Sequence, residues 1–239
     1  MRRQDQQITP EYIEITRWTA SLGAITAEAL AHRMGVSVSS ARGRLSAAQR
    51  RGLLLRKRPL AGRPALYSVT RAGLRACDAR GVRISKVEPS NANHLIACAA
   101  TAAALEHCCP HHRIVGEREL TRDERERGRP LVRARLRALR GGESPLHSPD
   151  LVLWPCEPDG GLPLVVEVEL TIKSHSRLVE ICRAWTRSRA VAGVLYFAPP
   201  DVQRALLRAI AEARAAEQII VMPLDSLPSV DASTDGGPR

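Results

Sequence analysis

Aromatic residues, lysines and long apolar runs are scarce in this sequence. Three Trp, three Tyr and one Phe make up 3% of the 239 residues, which is too few for the row of stacking side chains that binding of single-stranded nucleic acid requires. No apolar run approaches the ~20 residues of a membrane span, and no apolar signal segment follows the first residues. We therefore expect a cytoplasmic protein that has no membrane partner.

Patterned cysteine is also missing. The six cysteines include no Cys-x-x-Cys pair and show no regular spacing, so neither a disulfide framework nor a paired zinc motif is indicated. Residues 107–112 read His-Cys-Cys-Pro-His-His, which are zinc-ligand types, but adjacent ligands close a tetrahedral site poorly. We interpret this segment as a helix end and the cysteines as reduced, partly buried thiols.

Acidic residues are few only in the first third of the chain. Residues 1–90 hold 17 basic and 6 acidic side chains, whereas residues 91–239 hold 19 of each. The whole net charge of +11 therefore lies in the N-terminal third. This asymmetry favours a module that binds nucleic acid, joined to an electrically neutral second part.

The N-terminal third has the pattern of a helix-turn-helix. Apolar residues at helical spacing predict a first helix over residues 10–22. Thr26 and Ser37 are good N-caps for a short helix that ends at Gly35 and for a longer helix that ends near Gly52. Two helices joined by a glycine-containing turn, the second capped by serine, are typical of motifs that enter the major groove.

A basic hairpin follows these helices. Residues 53–58 and 65–70 predict two strands joined by a turn that contains proline and glycine. Short polar residues and arginines on the second helix suit base edges and phosphates, as do the basic residues of the hairpin. We predict DNA contacts from Ser39, Ser40, Arg42 and Arg44 of the helix and from Arg56, Lys57, Arg58 and Arg63 of the hairpin.

This order of elements resembles the winged helix-turn-helix family over about residues 10–82. The resemblance includes residues 66–74, Leu-Tyr-Ser-Val-Thr-Arg-Ala-Gly-Leu, a phrase that often closes such a wing. It implies double-stranded DNA as the partner. The alternative is a small helical domain that binds protein, as some winged helices do, but the basic hairpin and the charge of the first third favour DNA.

The rest of the sequence predicts an α/β (α+β) arrangement, a mixed central sheet flanked by helices. The elements expected first are a helix over 93–109, a strand over 113–120, a basic helix over 131–140, and strands over 151–154 and 164–170. A helix, a strand, a helix and a last strand follow, up to residue 223. The expected domains are residues 1–88 and 89–225, with a disordered tail over 226–239.

The strand at 164–170 carries an acidic ladder. Because side chains alternate along a strand, Glu167, Glu169 and Thr171 are expected on one face, and Lys173 joins them if the strand continues. Two carboxylates on an apolar strand are costly to bury without compensation. A third carboxylate, Asp150, begins another apolar run. Converging oxygen ligands of this kind suit a hard cation such as Mg²⁺.

Pro149-Asp150 followed by Glu167-Val168-Glu169 resembles the PD-(D/E)xK restriction-endonuclease-like superfamily. The resemblance implies that the aspartate and the first glutamate bind Mg²⁺ and that a lysine two residues later helps to activate the attacking water. Here that position holds Glu169, which gives the ExE variant that some active members use, and Lys173 is the lysine that reaches back from the same face. An ion-paired strand edge, or a degenerate site kept for folding, is the alternative interpretation.

The resemblance thus gives two overlapping sets of site residues. The candidate catalytic residues are Asp150, Glu167, Glu169 and Lys173. The candidate magnesium ligands are Asp150, Glu167, Glu169 and Glu119, with Glu117 or Glu106 as alternatives to Glu119. His147 and His175 flank the acidic motifs. Either could act as a general base, but each is more simply a surface residue or a neighbour of the site.

The combined layout resembles the replication-relaxation family of plasmids and mobile elements. The resemblance lies in residues 115–120, Pro149-Asp150 and residues 166–169, followed by a basic helix, and covers most of residues 10–215. Together with the charge partition, it indicates a DNA-binding regulator of transcription or of plasmid and mobile-element replication or transfer, which we expect to be a homodimer. A Mg²⁺-dependent endonuclease is the alternative function, and a protein-interaction scaffold that needs neither activity is a third.

Overall fold

A computed structural model of the chain describes residues 8–137, 144–156 and 160–226. Within these residues the protein is an α/β structure with eight α-helices, a mixed five-stranded sheet and two smaller sheets. The fold class expected from the sequence is therefore confirmed. The tail expected to be disordered lies outside the described residues from residue 227 onward.

The N-terminal part consists of helices followed by an antiparallel hairpin. Its elements are α1 (Pro10–Leu22), β1 (Ala24–Ile25), α2 (Ala27–Met34), α3 (Val38–Arg50), β2 (Leu54–Lys57), β3 (Leu66–Val69) and α4 (Arg71–Ala76). The Thr26 hydroxyl accepts the N–H of Ala29 at 3.1 Å to cap α2, and the Ser37 hydroxyl caps α3. Gly35 ends α2 in the left-handed conformation that glycine adopts freely. The expected helices and hairpin are confirmed, and β1 adds a third strand beside β3.

The C-terminal part is built around the mixed sheet. Its elements are α5 (Pro89–Cys108), β4 (His112–Gly116), α6 (Glu117–Glu126), β5 (Ala134–Arg135), β6 (Leu146–His147), β7 (Leu151–Pro155), β8 (Leu164–Val168), α7 (His175–Thr186), β9 (Gly193–Ala198), α8 (Pro200–Ala213) and β10 (Ile219–Pro223). The strand order is β10-β9-β8-β7-β4. Strands β10, β9 and β8 run parallel, while β7 is antiparallel to both β8 and β4.

Apolar side chains alternate between the two faces of this sheet. Val166 of β8 lies in a core shared with α5 and the N-terminal helices, whereas Val165 lies in a core formed with α7 and α8. Both valines are fully buried. Helices therefore cover the sheet on both faces, which leaves the strand ends for functional side chains.

The N-terminal part packs directly against the C-terminal part. Helix α2 lies against α5, and α1 lies against α6. At the end of β4 the N–H of Gly116 donates to the Ser21 hydroxyl at 2.9 Å, and a Cβ added to Gly116 would lie 2.3 Å from the Ser21 carbonyl oxygen. The expected boundary at residue 88 falls immediately before α5, yet one continuous apolar core joins the two parts across it.

The strand expected over residues 113–120 is wrong in its second half. Strand β4 ends at Gly116 and α6 begins at Glu117. Glu117 and Glu119 lie in the first turn of α6, where carboxylates stabilise a helix through its dipole. The chain thus turns into a helix at the point where β4 meets α1.

The basic helix expected over residues 131–140 is also wrong for the part that the structure describes, up to residue 137. This segment is extended and contains β5. Its buried positions alternate with arginines, which is the period of a strand and not that of a helix: Val132, Ala134 and Leu136. The buried carboxylate of Glu124 also holds the segment by accepting the N–H of Leu131 at 2.9 Å.

The cysteine side chains are unpaired thiols that differ in burial. All six cysteines are free. Cys77, Cys98 and Cys182 are buried, whereas Cys108 and Cys156 are exposed. No helix among the described residues has the length and apolar character needed to cross a membrane.

Candidate functional site

The ends of β7 and β8 bring the two acidic motifs together. Leu151 pairs with Val166 in antiparallel register, so the next positions along the two chains, Asp150 and Glu167, lie side by side. The N–H of Val168 donates to Asp150 Oδ2 at 2.8 Å. This hydrogen bond fixes the Asp150 carboxylate at the end of β8.

Glu167 is a buried carboxylate with a histidine partner. It is 5% exposed, and its Oε1 lies 2.8 Å from His147 Nε2. The ring of His147 packs edge-on against Trp185. Burial raises the pKa of Glu167 above its ordinary value, although His147 opposes that shift. Burial lowers the pKa of His147, but the attraction of Glu167 outweighs burial and the net shift is upward.

Glu169 and Lys173 lie just beyond the end of β8. Because the strand ends at Val168, Thr171 is exposed and does not share a face with the two glutamates. Glu169 is buried, and its N–H donates to the Phe197 carbonyl at 3.0 Å. Lys173 Nζ forms an ion pair with the Glu169 carboxylate from the loop before α7. Lys173 therefore contacts an acidic residue as expected, but it does so from the loop after β8 and not from the strand itself.

The four predicted catalytic residues are therefore neighbours in space. Asp150 raises the pKa of Glu167 and Lys173 lowers it, so both charges act on this carboxylate. Glu169 is tied to Lys173 directly. The structure thus brings together three carboxylates and one ammonium group at one end of the sheet.

Two residues of α5 that were not predicted as site residues lie beside Asp150. His94 Nε2 is 2.9 Å from Asp150 Oδ1, and Cys98 Sγ is 3.4 Å from His94 Nε2. The hydrogen bond that His94 donates to the Asp150 carboxylate raises the pKa of His94 against the effect of burial. Burial raises the pKa of the Cys98 thiol well above its ordinary value, and the Asp150 charge adds to this effect. The available sequence signal was their spacing of four residues on a predicted helix.

Glu119, the predicted fourth magnesium ligand, is held by arginines. Its Oε1 lies 3.2 Å from a guanidinium nitrogen of Arg113 and 3.5 Å from one of Arg122. The side chain is 17% exposed and belongs to a network of charges on α6. This pairing gives Glu119 a structural role and does not support it as a ligand beside Asp150.

The alternative acids, Glu117 and Glu106, differ in their surroundings. The N–H of Glu117 donates to the Asp150 carbonyl at 3.0 Å, and the Glu117 carboxylate contributes to the raised pKa of His94. Glu106 instead accepts the indole N–H of Trp18 at 2.7 Å. This hydrogen bond lies where α5 contacts the N-terminal helices. Of the three candidate acids, Glu117 is therefore the one whose charge acts on the cluster around Asp150.

The predicted DNA-contacting residues of the hairpin are all exposed: Arg56, Lys57, Arg58 and Arg63. On α3, Ser39 and Arg42 are also exposed. Arg63 donates to Asn93 Oδ1 at 3.0 Å, a surface contact between the hairpin and α5. These side chains are therefore available to a partner from solvent.

Two predicted contact residues on α3 are engaged within the protein. The guanidinium of Arg44 donates to Glu11 Oε1 at 2.5 Å and to the Ser40 hydroxyl. Arg44 is 29% exposed. Its first role is therefore to join α3 to α1, which sets the orientation of α3.

A small basic cavity lies between α3 and the hairpin. It has a volume of about 60 Å³, and its lining includes Arg42 of α3 and Arg56 and Arg58 of the hairpin segment, together with Glu28 and Tyr67. Glu28 lies 3.7 Å from Arg42 in an exposed pair, which is worth little in free energy. Three arginines thus line one opening together with a single carboxylate residue, Glu28.

Comparison with protein-family models, with curated proteins and with solved structures gave no match for this chain. A function must therefore be inferred from the fold and from two clusters of charged side chains. One cluster is basic and lies on α3 and the hairpin. The other is acidic and lies at the ends of β7 and β8.

Proposed function

We propose that this protein binds double-stranded DNA through α3 and the β2–β3 hairpin. The observation that carries the proposal is the convergence of Arg42, Arg56 and Arg58 on one cavity of the N-terminal part. The first 90 residues also contain the whole net positive charge. The order α1, β1, α2, α3, β2, β3 resembles that of a winged helix-turn-helix, in which the second helix of the motif would enter the major groove.

The exposed start of α3 suits contact with base edges. Ser39 and Arg42 project from the first turn and a half of the helix, where short polar and guanidinium side chains pair with bases. The hairpin arginines would then meet the sugar-phosphate backbone, which carries most of the affinity. A phosphate is a suitable occupant for an opening lined by three arginines, because arginine binds phosphate oxygens through two parallel hydrogen bonds.

The test is a binding titration with duplex DNA at constant salt. The variant Arg56→Ala/Arg58→Ala should lose at least about tenfold in affinity, equivalent to about 1.4 kcal/mol. The matched control Arg204→Ala/Arg208→Ala removes the same charge from exposed positions on α8 and should bind as the unaltered protein does. Absence of duplex binding at low salt, or an equal loss in both variants, would overturn the proposal.

The biological setting follows from the resemblance alone. We propose a regulator of transcription, or of replication or transfer of a plasmid or mobile element, that acts as a homodimer. The dimer is measurable by sedimentation equilibrium of the full chain, with and without a duplex that contains two half-sites. A monomer under both conditions would remove the dimer from the proposal.

A Mg²⁺-dependent endonuclease is the second candidate function. The observation that favours it is the placement of Asp150 and Glu167 side by side, with Glu169 and Lys173 at the same strand end. Carboxylate oxygens are the donor set that Mg²⁺ prefers. The residues present therefore fit this ion, which Asp150, Glu167 and Glu169 would hold.

In that function the ion would lower the pKa of a water and offset the charge of the phosphate. The protein's own residues would divide the other tasks. Lys173 would place a positive charge beside Glu169 at the mouth of the site, where a phosphate approaches. His147 would hold Glu167 in position through its 2.8 Å contact. The Val168 N–H would orient Asp150.

The test is nicking of supercoiled DNA with and without Mg²⁺ or Mn²⁺. Glu167→Gln keeps the shape of the side chain and should lower a metal-dependent nicking rate by about 100-fold. The surface change Glu217→Gln serves as the control. Cutting that survives Glu167→Gln and Asp150→Asn would refute the endonuclease, and intact DNA that still shifts in a gel would leave DNA binding as the function.

A further inference from the structure

The cluster of His94, Cys98 and Asp150 has the spacing of a metal site. One ligand atom from each residue lies within 4.8 Å of the others. Zinc bonds of 2.0–2.3 Å in a tetrahedron separate neighbouring ligand atoms by roughly 3.3–3.8 Å. The observed separations of 2.9 Å for His94–Asp150 and 3.4 Å for His94–Cys98 lie close to that range. The His94 donor atom therefore lies near ligand spacing from both of its neighbours.

The positions of the three residues also suit a preformed site. His94 and Cys98 stand four residues apart on α5, so they project from the same face of a long helix. Asp150 is fixed independently, because its other oxygen accepts the Val168 N–H. Two rigid elements therefore present the ligands, and the 42% exposure of the His94 side chain leaves a path for entry.

The surroundings favour a cation. Glu117 and Glu169 both act on His94 as negative charges. Lys173 is the opposing cation and is paired with Glu169, while His147 lies against Glu167. The carboxylates near the cluster thus outnumber the groups that would repel an ion.

We propose that His94, Cys98 and Asp150 bind a divalent transition-metal ion of the zinc class, such as Zn²⁺, Co²⁺ or Fe²⁺. A donor set of one imidazole, one thiolate and one carboxylate suits these borderline ions, whereas Mg²⁺ prefers oxygen ligands only. The site is independent of DNA binding by the N-terminal part. It shares Asp150 with the candidate magnesium residues, so one carboxylate would serve either ion.

The test uses the metal-free full-length chain, titrated with Co²⁺ while the thiolate-to-cobalt charge-transfer band is recorded. One equivalent should bind and produce the band, and Zn²⁺ should displace it while excess Mg²⁺ does not. Cys98→Ser should abolish the band. His94→Gln changes a half-exposed residue and should weaken Co²⁺ binding at least about tenfold without altering the far-ultraviolet circular dichroism.

The competing source of such a band is the exposed segment at residues 107–112. The control Cys108→Ser/Cys109→Ser should therefore keep the band and its affinity. A band that is lost in this control but kept in Cys98→Ser would overturn the proposal, as would a chain that gives no band at all. If Cys98→Ser does not fold, His94→Gln decides, because unchanged Co²⁺ affinity in that variant contradicts the site.

Discussion

Two buried glutamates show how the partners of a side chain distinguish structural from functional roles. Glu124 is 6% exposed, accepts the backbone N–H groups of Leu131 and Val132, and receives the guanidinium of Arg133 at 2.5 Å. All its partners are donors that fix a neighbouring segment. Glu167 is equally buried, but it pairs with a titratable histidine, His147, and Asp150 lies beside it. The donors around Glu124 stabilise its ionised form. Burial and the neighbouring charge of Asp150 destabilise the ionised form of Glu167.

Glu124→Gln and Glu167→Gln should therefore change stability in opposite directions. Loss of charge at Glu124 weakens charge-assisted hydrogen bonds and should lower the free energy of unfolding by about 2 kcal/mol. Glu167→Gln should raise it by about 1 kcal/mol at pH 7.5, because His147 can become neutral when its partner does. Urea unfolding of both variants measures the difference.

The effect at Glu167 should also depend on pH. The pKa of Glu167 in the folded protein is raised above the ordinary value of 4.5. The folded state therefore favours the protonated side chain, and the stability that this gives is fully present below pH 4.5 and is lost as the pH rises through the folded pKa. The advantage of Glu167→Gln should therefore shrink toward acid pH. An equal loss of stability in both glutamine variants at pH 7.5 would contradict this distinction.

At the residue scale, the sequence predicted those members of the acidic cluster that a short motif carries. Asp150, Glu167, Glu169 and Lys173 were found through local spacing, and the structure brings them together. His94 and Cys98 were missed because they reach Asp150 across more than 50 residues of chain, and no local pattern reports such a contact. Glu119 was named first and Glu117 as an alternative, because the strand expected over residues 113–120 would place both on one face and local spacing does not separate them.

At the element scale, the end of β4 is the tightest junction between the two parts of the chain. Gly116 has no room for a Cβ, since Ser21 backbone atoms lie 2.3 Å and 2.7 Å from that position. We expect Gly116→Ala to lower the free energy of unfolding by about 2 kcal/mol through overpacking.

Gly43 provides the matched control for this prediction. It lies in the interior of α3 with nothing within 4 Å of an added Cβ, so Gly43→Ala should raise stability by about 0.5–1 kcal/mol through helix propensity. Thermal unfolding of both variants tests the pair. A neutral Gly116→Ala would mean that α1 does not pack on β4 as closely as described.

Residues 131–137 form an element whose type was predicted wrongly, and the N-terminal helices are elements predicted correctly. Residues 131–137 alternate apolar and basic side chains, which is the period of an extended strand, although a helix was predicted there. Their backbone depends on Glu124, a residue of the preceding helix. The N-terminal helices were found because their caps, Thr26 and Ser37, are local signals that the structure uses directly.

At the scale of the whole molecule, charge and packing divide the chain differently. The net charge separates residues 1–90 from the rest, and this partition was visible in the sequence. The apolar core extends across that boundary, because α1 and α2 pack on α5 and α6. A partition of charge is a sum over residues, whereas a shared core depends on which surfaces meet in three dimensions. If the N-terminal part binds DNA, the bound DNA would therefore contact a structure in which both parts are packed together as one unit.

The measurement that tests DNA binding most directly is the slope of the logarithm of the association constant for duplex DNA against the logarithm of the salt concentration. Each phosphate contact contributes about 0.9 to this slope. If Arg56 and Arg58 both contact phosphates, Arg56→Ala/Arg58→Ala should reduce its magnitude by about 1.8, while Arg204→Ala/Arg208→Ala should leave it unchanged. An unaltered slope in the hairpin variant, or an equal reduction in the α8 variant, would contradict the proposed DNA-binding surface.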